Sequence, residues 1–145
     1  MTQDTSLSVT FEKRGAVALV TDVQTGEVLG MTSWPVFDPN KPGKSSDYTR
    51  TNRAAASVFE MGSTFKAFTV AIGLDTKVAT PDSTYDARQP LKMGYRTIHD
   101  YHGTNRILTL REVFNHSSNI GTALLAHAIG NAQLARYFAE FGLTR

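Results

Sequence analysis

The sequence predicts an α/β fold of the α+β type, in which an antiparallel β-hairpin precedes a set of helices. Two short apolar runs, 15–20 and 27–32, flank a turn that contains Gly26, a pattern typical of a hairpin. Apolar residues at helical spacing follow in the second half of the chain. Hydrophobic residues make up 41% of the 145 positions, which favours a packed core over disorder.

Charge and composition exclude several classes of function. Fifteen Lys and Arg against thirteen Asp and Glu leave a net charge of +2, and without a basic cluster this charge does not predict a nucleic-acid partner. No run approaches the roughly 18 apolar residues of a membrane-spanning helix, and the polar start at Met1–Ser8 lacks the apolar stretch of a signal peptide. Because the chain has no cysteine, a disulfide scaffold and a cysteine nucleophile are excluded.

The hairpin and the segment after it are predicted from apolar runs and prolines. The first strand, 15–20, is apolar on both faces, so we expect it to be covered on both sides; a short buried helix is the alternative. Residues 34–52 hold three of the five prolines and are predicted to form a long loop. A loop of this length is usually functional or poorly ordered. A helical stretch is expected from Ala54.

The second half of the chain is predicted to be mainly helical. Phe65, Phe68 and Ile72 recur at helical spacing while the opposite face is apolar too, which indicates a buried helix from Ser63 to Leu74. Thr109 and Glu112 form a capping box. The remaining expectations are an irregular segment over 76–106, a short helix from Leu110 interrupted at 116–119, a helix over 120–129 stopped by Gly130, and a helix over 132–141 capped by Asn131 and closed by Gly142.

Ser63 and Lys66 are the first candidates for chemistry. Three residues apart on a helix, they share a face, so the hydroxyl and the amine can meet. A serine needs a base to become a nucleophile, and a lysine among Phe65 and Phe68 is desolvated, which lowers its pKa and favours the neutral amine. The positive end of the helix dipole acts in the same direction and favours an oxyanion beside Ser63. The alternative is chance, since a lone Ser-x-x-Lys is common and most such lysines reach solvent.

Ser117, Ser118 and Asn119 form a second candidate element at the break between two helices. Ser117 could pass a proton between the lysine and a leaving group, and the Asn119 amide could hold a peptide bond through its donor and its acceptor. The alternative is a helix cap made by Ser118 or Asn119. Ser-x-x-Lys followed by Ser-x-Asn is a more specific pattern than either element alone.

The chain resembles the class B penicillin-binding proteins, and among them the division-specific (septal) peptidoglycan D,D-transpeptidases. The resemblance is carried by the lead-in loop 34–40, by Phe59 to Lys66 (FEMGSTFK), by 98–100, and by 108–121 (LTLREVFNHSSNIG). It covers about residues 15–145. It implies a partial transpeptidase fold of the kind shared with serine β-lactamases, with a hairpin of the sheet and a helical subdomain.

The resemblance also implies roles for individual residues. Ser63 would be the nucleophile that forms an acyl-enzyme, and its backbone N–H would be one of two oxyanion donors. Lys66 would be the general base, Ser117 would relay a proton, and Asn119 would bind the substrate amide. The substrates would be peptidoglycan stem peptides ending in D-Ala-D-Ala, and β-lactam antibiotics would bind the same serine. The implied parent is anchored at the periplasmic side of the bacterial inner membrane within a cell-division complex, and it uses no cofactor.

Two departures from the family pattern shape the expectation for this chain. Ser118 stands where class A β-lactamases have Asp, which favours a penicillin-binding protein. The third family motif, Lys-(Ser/Thr)-Gly, does not occur after Ser63. We therefore expect residues 1–145 to be the N-terminal half of a transpeptidase domain, without its C-terminal strands, and to be inactive alone.

Other functions stay open as alternatives. A serine β-lactamase or penicillin-sensing domain would use the same Ser63 and Lys66, and a non-catalytic interaction module would tolerate their loss. His99 and His102 form an H-x-x-H pair without a third ligand at helical spacing. No metal site is therefore predicted.

Overall fold

A computed structural model describes residues 15–144. The chain divides into two compact units, one ending at Glu60 and the other beginning at Met61. The irregular start predicted over residues 1–14 lies outside the described residues. None of the helices in the described part combines the length and the apolar character needed to cross a membrane.

The first unit contains the predicted hairpin. Strand β1 (Ala16–Thr21) pairs antiparallel with β2 (Val28–Trp34), and Gly26 in the connecting turn has φ 74°, which confirms the prediction. The predicted loop after it contains a 3-10 turn and a short helix α1 (Asp47–Arg50), and α2 (Arg53–Ala56) follows. The Ser33 hydroxyl accepts a 3.0 Å hydrogen bond from the Arg53 backbone N–H and so ties α2 to β2.

The prediction that β1 is covered on both sides is wrong. Every residue of β1 is exposed, and Leu19 and Val20 keep more than half of their surface in solvent, at 53% and 59%. The physical reason is the small size of this unit. The two strands pair with each other, and the one-turn helix α2 is too short to shield a six-residue strand.

The second unit holds the remaining helices and four short strands. Its helices are α3 (Lys66–Asp75), α4 (Leu110–Asn115), α5 (Asn119–Ile129) and α6 (Asn131–Glu140). Its strands form two antiparallel pairs, β3 (Thr84–Asp86) with β6 (Ile107–Thr109) and β4 (Leu91–Met93) with β5 (Arg96–Ile98). The prediction of irregular structure over 76–106 is therefore wrong, because strands of three residues are too short to produce a recognisable alternation of apolar and polar residues.

The helix predicted from Ser63 begins later and is less buried than expected. Ser63 lies in a 3-10 turn, Gly62–Phe65, and α3 starts at Lys66. Only Thr69, Ile72 and Gly73 on α3 are buried, so the helix packs on one side.

The other helices begin within one residue of their predicted starts. The capping box of Thr109 and Glu112 is confirmed at the start of α4. Helix α5 begins one residue before the predicted start, at Asn119. The N-cap of α6 is Gly130 rather than Asn131, which is the first helical residue. Asn131, whose side chain could act as a cap, thus lies inside the helix. Gly130, with φ 83°, makes the turn between α5 and α6 and takes the N-cap position.

Close packing around α5 fixes the relative positions of three helices. Leu125 is fully buried, and a Cβ added at Gly73 would lie 2.8 Å from its side chain. A Cβ added at Gly121 would overlap the side chain of Val113. Contacts this short require glycine, since real Cβ atoms essentially never approach a neighbour so closely. Glycines therefore let α3 and α4 approach α5, and this brings Lys66 to the junction of α4 and α5.

Candidate active site

Lys66 is bound by the turn between α4 and α5. Its Nζ donates to the backbone oxygen of Ser117 at 2.5 Å, to the Ser117 hydroxyl at 3.1 Å and to Oδ1 of Asn119 at 2.6 Å. A lysine ammonium has three donors, and each has an acceptor here. The structure thus brings together three of the four residues that the sequence singles out.

The surroundings of Lys66 act on its pKa in two opposite directions. Partial burial disfavours the charged ammonium and lowers the pKa below its ordinary value, and the negative charge of Asp100 opposes this effect. Desolvation is the larger cause, so the net direction is downward. The sequence predicts the same direction from the apolar neighbours of Lys66. A lowered pKa increases the fraction of neutral amine that can accept a proton.

The turn that carries Ser117 has an unusual backbone. Ser117 has φ 53°, in the left-handed region that residues other than glycine rarely adopt. Its backbone N–H donates to the Phe114 oxygen at 3.1 Å, and the next N–H donates to the Val113 oxygen at 2.9 Å. This conformation ends α4 and points both the carbonyl and the hydroxyl of Ser117 at Lys66.

Ser118 and Asn119 have separate tasks in the structure. Ser118 is 2% exposed and caps α5, since its hydroxyl accepts a hydrogen bond from the Gly121 N–H at 2.9 Å. The cap interpretation is therefore confirmed for Ser118. Asn119 does not cap. Its amide binds Lys66 through Oδ1 and donates from Nδ2 to the His99 backbone oxygen at 2.8 Å.

Asp100 belongs to this cluster, although neither sequence motif contains it. Its Oδ2 accepts a hydrogen bond from the Ser118 hydroxyl at 2.8 Å, and its Oδ1 accepts from the Ile120 N–H at 3.0 Å. It follows strand β5 in an irregular segment, 18 residues before Ser118. The segment 98–100 appears in the family resemblance, but no helical or strand spacing connects it with the second motif.

Ser63 is the open member of the site. It is exposed in the 3-10 turn before Lys66. The Lys66 backbone N–H donates to the Ser63 backbone oxygen, so the two residues lie on one helical turn. Among residues 15–144 its hydroxyl has no hydrogen-bond partner. The structure therefore binds Lys66 through three acceptors and leaves Ser63 exposed to solvent.

Metal binding gains no support from the histidines. Within the part of the chain that the structure describes, no three His, Asp or Glu side chains gather closely enough to hold a metal ion. His102 packs its ring on Tyr101 with centroids 4.4 Å apart.

A comparison with known families identifies the arrangement. The family model for the penicillin binding protein transpeptidase domain matches residues 16–145. The chain belongs to the penicillin-binding transpeptidase family. The match spans the hairpin, both motif-bearing turns and all of the helices, and it confirms the family that the sequence motifs indicate.

Curated relatives of this family agree. Over 135 residues, 93% of this chain, it is 66% identical to a Caulobacter vibrioides protein described as "Probable peptidoglycan D,D-transpeptidase FtsI", of which it covers 23%. It is 36% identical over 131 residues to the Neisseria flavescens protein described as "Probable peptidoglycan D,D-transpeptidase PenA", covering 90% of this chain and 32% of that protein. The chain thus spans less than a third of the length of these transpeptidases.

Solved structures confirm the predicted fold class. The D,D-transpeptidase domain of an Eggerthella lenta peptidoglycan glycosyltransferase aligns with a TM-score of 0.77 at 29% identity, over 90% of this chain and 33% of that one. The transpeptidase domain of Burkholderia pseudomallei penicillin-binding protein 3 aligns with a TM-score of 0.70 at 31% identity, over 86% and 33%. The chain therefore has a partial transpeptidase fold of mixed strands and helices.

Proposed function

We propose that this chain supplies the nucleophile and the base of a serine D,D-transpeptidase. The observation that carries the proposal is the binding of Lys66 Nζ by the Ser117 hydroxyl and the Asn119 amide, one helical turn from the exposed Ser63. These are the residue types that acyl transfer requires, namely a hydroxyl nucleophile, an amine base and a hydroxyl that can return the proton.

The hydrogen bonds of Lys66 support a specific proton path. The Ser117 backbone oxygen and Asn119 Oδ1 only accept, so they hold two N–H groups of a neutral lysine. The Ser117 hydroxyl can also donate, so it is the partner that can turn toward the lone pair of the neutral amine. Lys66 would take the proton as Ser63 Oγ bonds to the substrate carbonyl carbon. The Ser117 hydroxyl would then pass its proton to the leaving amine and take the proton held by Lys66, which leaves the lysine neutral again.

The proposed reaction is cross-linking of peptidoglycan. Ser63 would attack the peptide bond between the two terminal D-Ala residues of a stem peptide, and D-Ala would leave with the proton. The amine of a neighbouring peptide would then attack the ester, forming a new amide and restoring the Ser63 hydroxyl. The family and the names of the relatives support this substrate class, and β-lactams would acylate the same serine.

The cellular setting is part of the proposal. We infer that residues 1–145 are one part of a complete transpeptidase domain, which also carries the Lys-(Ser/Thr)-Gly strand and acts at the periplasmic side of the inner membrane in septal wall synthesis with division proteins. The relative from Caulobacter vibrioides carries the division name FtsI, which supports this setting.

Labelling with fluorescent penicillin tests the proposal. In the complete transpeptidase domain that contains this chain, penicillin should form a stable ester on Ser63. Ser63→Ala should abolish the label, whereas Thr64→Ala, which removes the neighbouring exposed hydroxyl, should keep it. Persistent label on the Ser63→Ala protein, mapped to another residue by mass spectrometry, would contradict the proposal. Rapid loss of the ester with release of hydrolysed drug would indicate a β-lactamase instead.

The 145 residues alone should react far more slowly than the complete domain. Acyl transfer needs two oxyanion donors, and the second is expected on the Lys-(Ser/Thr)-Gly strand. Removal of one such donor lowers the rate by about 10²–10³-fold. The check is to label the isolated chain and the complete domain side by side. Equal rates would show that the additional strand is dispensable.

A further inference from the structure

Asp100 makes a two-point contact with the start of helix α5. One carboxylate oxygen accepts a hydrogen bond from the Ser118 side chain at 2.8 Å, and the other accepts from the backbone N–H of Ile120 at 3.0 Å. These two donors lie on either side of Asn119. Both oxygens are thus engaged, and the contact fixes the direction in which α5 leaves the turn as well as its position.

The residues that Asp100 binds are the ones that position the candidate catalytic turn. Ser118 is 2% exposed and also caps α5 through the Gly121 N–H. Its hydroxyl can donate to Asp100 and accept from the Gly121 N–H at the same time. The carboxylate therefore orients the Ser118 hydroxyl so that its oxygen faces the Gly121 N–H. Ser117 and Asn119, which bind Lys66, are the neighbours of Ser118 on each side.

Residue 99, next to Asp100, also binds the side chain of Asn119. The backbone oxygen of His99, adjacent to Asp100, accepts a 2.8 Å hydrogen bond from Asn119 Nδ2. This bond orients the amide so that Oδ1 faces Lys66 at 2.6 Å. Residues 99–100 thus make two hydrogen bonds with the second motif and a third with Ile120, the residue after it. Neither side chain forms a hydrogen bond with Lys66.

We propose that Asp100 is a positioning residue of the acylation site, which holds the turn carrying Ser117 and Asn119 against Lys66. The proposal rests on the function proposed above, and it adds a residue that the two sequence motifs do not contain. Ser117 in its left-handed conformation needs such support, because a backbone in a sparsely populated region persists only where its surroundings determine it.

Asp100 also provides a readout that a purely structural residue would not affect. It is the charged group that acts on Lys66, and its negative charge raises the pKa of the lysine against the lowering by burial. Removing the charge while keeping the shape should therefore lower the pKa of Lys66. The acylation rate should then begin to rise at a lower pH, because the neutral amine forms there.

The test compares Asp100→Asn and Asp100→Ala with Asp82→Asn in the complete transpeptidase domain. Asp82 is an exposed carboxylate of the same unit, 3.6 Å from Arg111. Rates of acylation by fluorescent penicillin are measured across pH 6–10. Asp100→Ala should lose about 100-fold in rate, since small displacements of catalytic groups have effects of this size. Asp100→Asn should lose less and should shift the rising part of the pH profile to lower pH. Asp82→Asn should match the wild type.

The outcomes separate this inference from the proposed function. If the wild type acylates at Ser63 and both Asp100 variants keep its rate and its pH profile, the positioning role is wrong. If Asp100→Asn loses rate with an unshifted profile, Asp100 does not act on Lys66 and the inference is also overturned. If Asp100→Ala does not fold, the isosteric Asp100→Asn still decides. Absence of Ser63 acylation in the wild type would overturn the proposed function itself.

Discussion

Each of the two turns that carry the motifs contains one residue with a positive φ, but the residue type differs. Gly62, directly before Ser63, has φ 54°, and Ser117 has φ 53°. Glycine adopts this left-handed region freely, whereas a residue with a Cβ is destabilised there by about 1–2 kcal/mol. The first turn is therefore made by an amino acid that suits it, and the second is held in place by its surroundings.

The surroundings of the two turns differ accordingly. In the described residues, Gly62, Ser63 and Thr64 are exposed, whereas Phe65 at the end of the turn is half-buried against Phe68 and Phe138. The side chains of this turn form no hydrogen bond with the described residues. The second turn is bound by Lys66, by His99 and by both oxygens of Asp100. The comparison teaches that hydrogen bonds hold the turn beside Lys66, the proposed base, in place, whereas Ser63, the proposed nucleophile, is exposed.

Replacing Lys66 should have the largest effect. Lys66→Arg keeps a positive charge near Ser117 and Asn119, but a guanidinium cannot be deprotonated near neutral pH and cannot serve as the base. We expect acylation of the complete domain by fluorescent penicillin to fall by about 10²–10⁴-fold. Lys92→Arg, at an exposed position of strand β4, is the matched control. Near-normal acylation by Lys66→Arg would mean that the lysine acts only as a charge.

Two substitutions of Ser117 should separate its hydroxyl from its backbone. Ser117→Ala and Ser117→Gly both remove the hydroxyl that accepts from Lys66 and is proposed to relay the proton, so both should lose about 100-fold in acylation. Only alanine keeps a Cβ in the left-handed region. The glycine variant should therefore have the higher free energy of unfolding, by about 1 kcal/mol. Urea denaturation of the two variants checks this order, and equal or reversed stability would show that Ser117 is not strained.

Substitution of Gly62 should have a smaller effect, confined to stability. No atom lies within 4 Å of a Cβ added there, so Gly62→Ala introduces backbone strain without a clash. The free energy of unfolding should fall by about 1–2 kcal/mol. Gly43→Ala, also in open space but without a positive φ, should change it by less than about 0.5 kcal/mol. A Gly62→Ala protein as stable as the wild type would remove the contrast between the turns.

The sequence predicts the parts of the fold that depend on local signals. The Gly26 hairpin and the Thr109–Glu112 capping box are found as predicted, since each is formed by residues close in sequence. The strands within 76–106 and the exposure of β1 could not be predicted. Three-residue strands show no periodicity, and the burial of a strand depends on which layers pack against it.

In the candidate site, too, the residues in local motifs are predicted from the sequence, whereas the tertiary contacts are not. Ser63, Lys66, Ser117 and Asn119 are recognisable because the chemistry of two motifs restricts their residue types and spacing. The contacts of Lys66 with the second motif span more than 50 residues and follow from the packing of α3 on α5. Asp100 lacks any such signal, because its contacts with α5 are made by tertiary structure from an irregular segment.

Direct titration of the Lys66 amine by NMR tests the central claim that this chain holds a lysine prepared to act as a base. The Nζ and Cε signals of the complete domain would be followed across pH, with Lys66→Arg used for assignment. The account predicts a pKa below the ordinary value of 10.5, because burial outweighs the charge of Asp100, and a lower pKa still in Asp100→Asn. A Lys66 pKa at or above 10.5 would contradict the account.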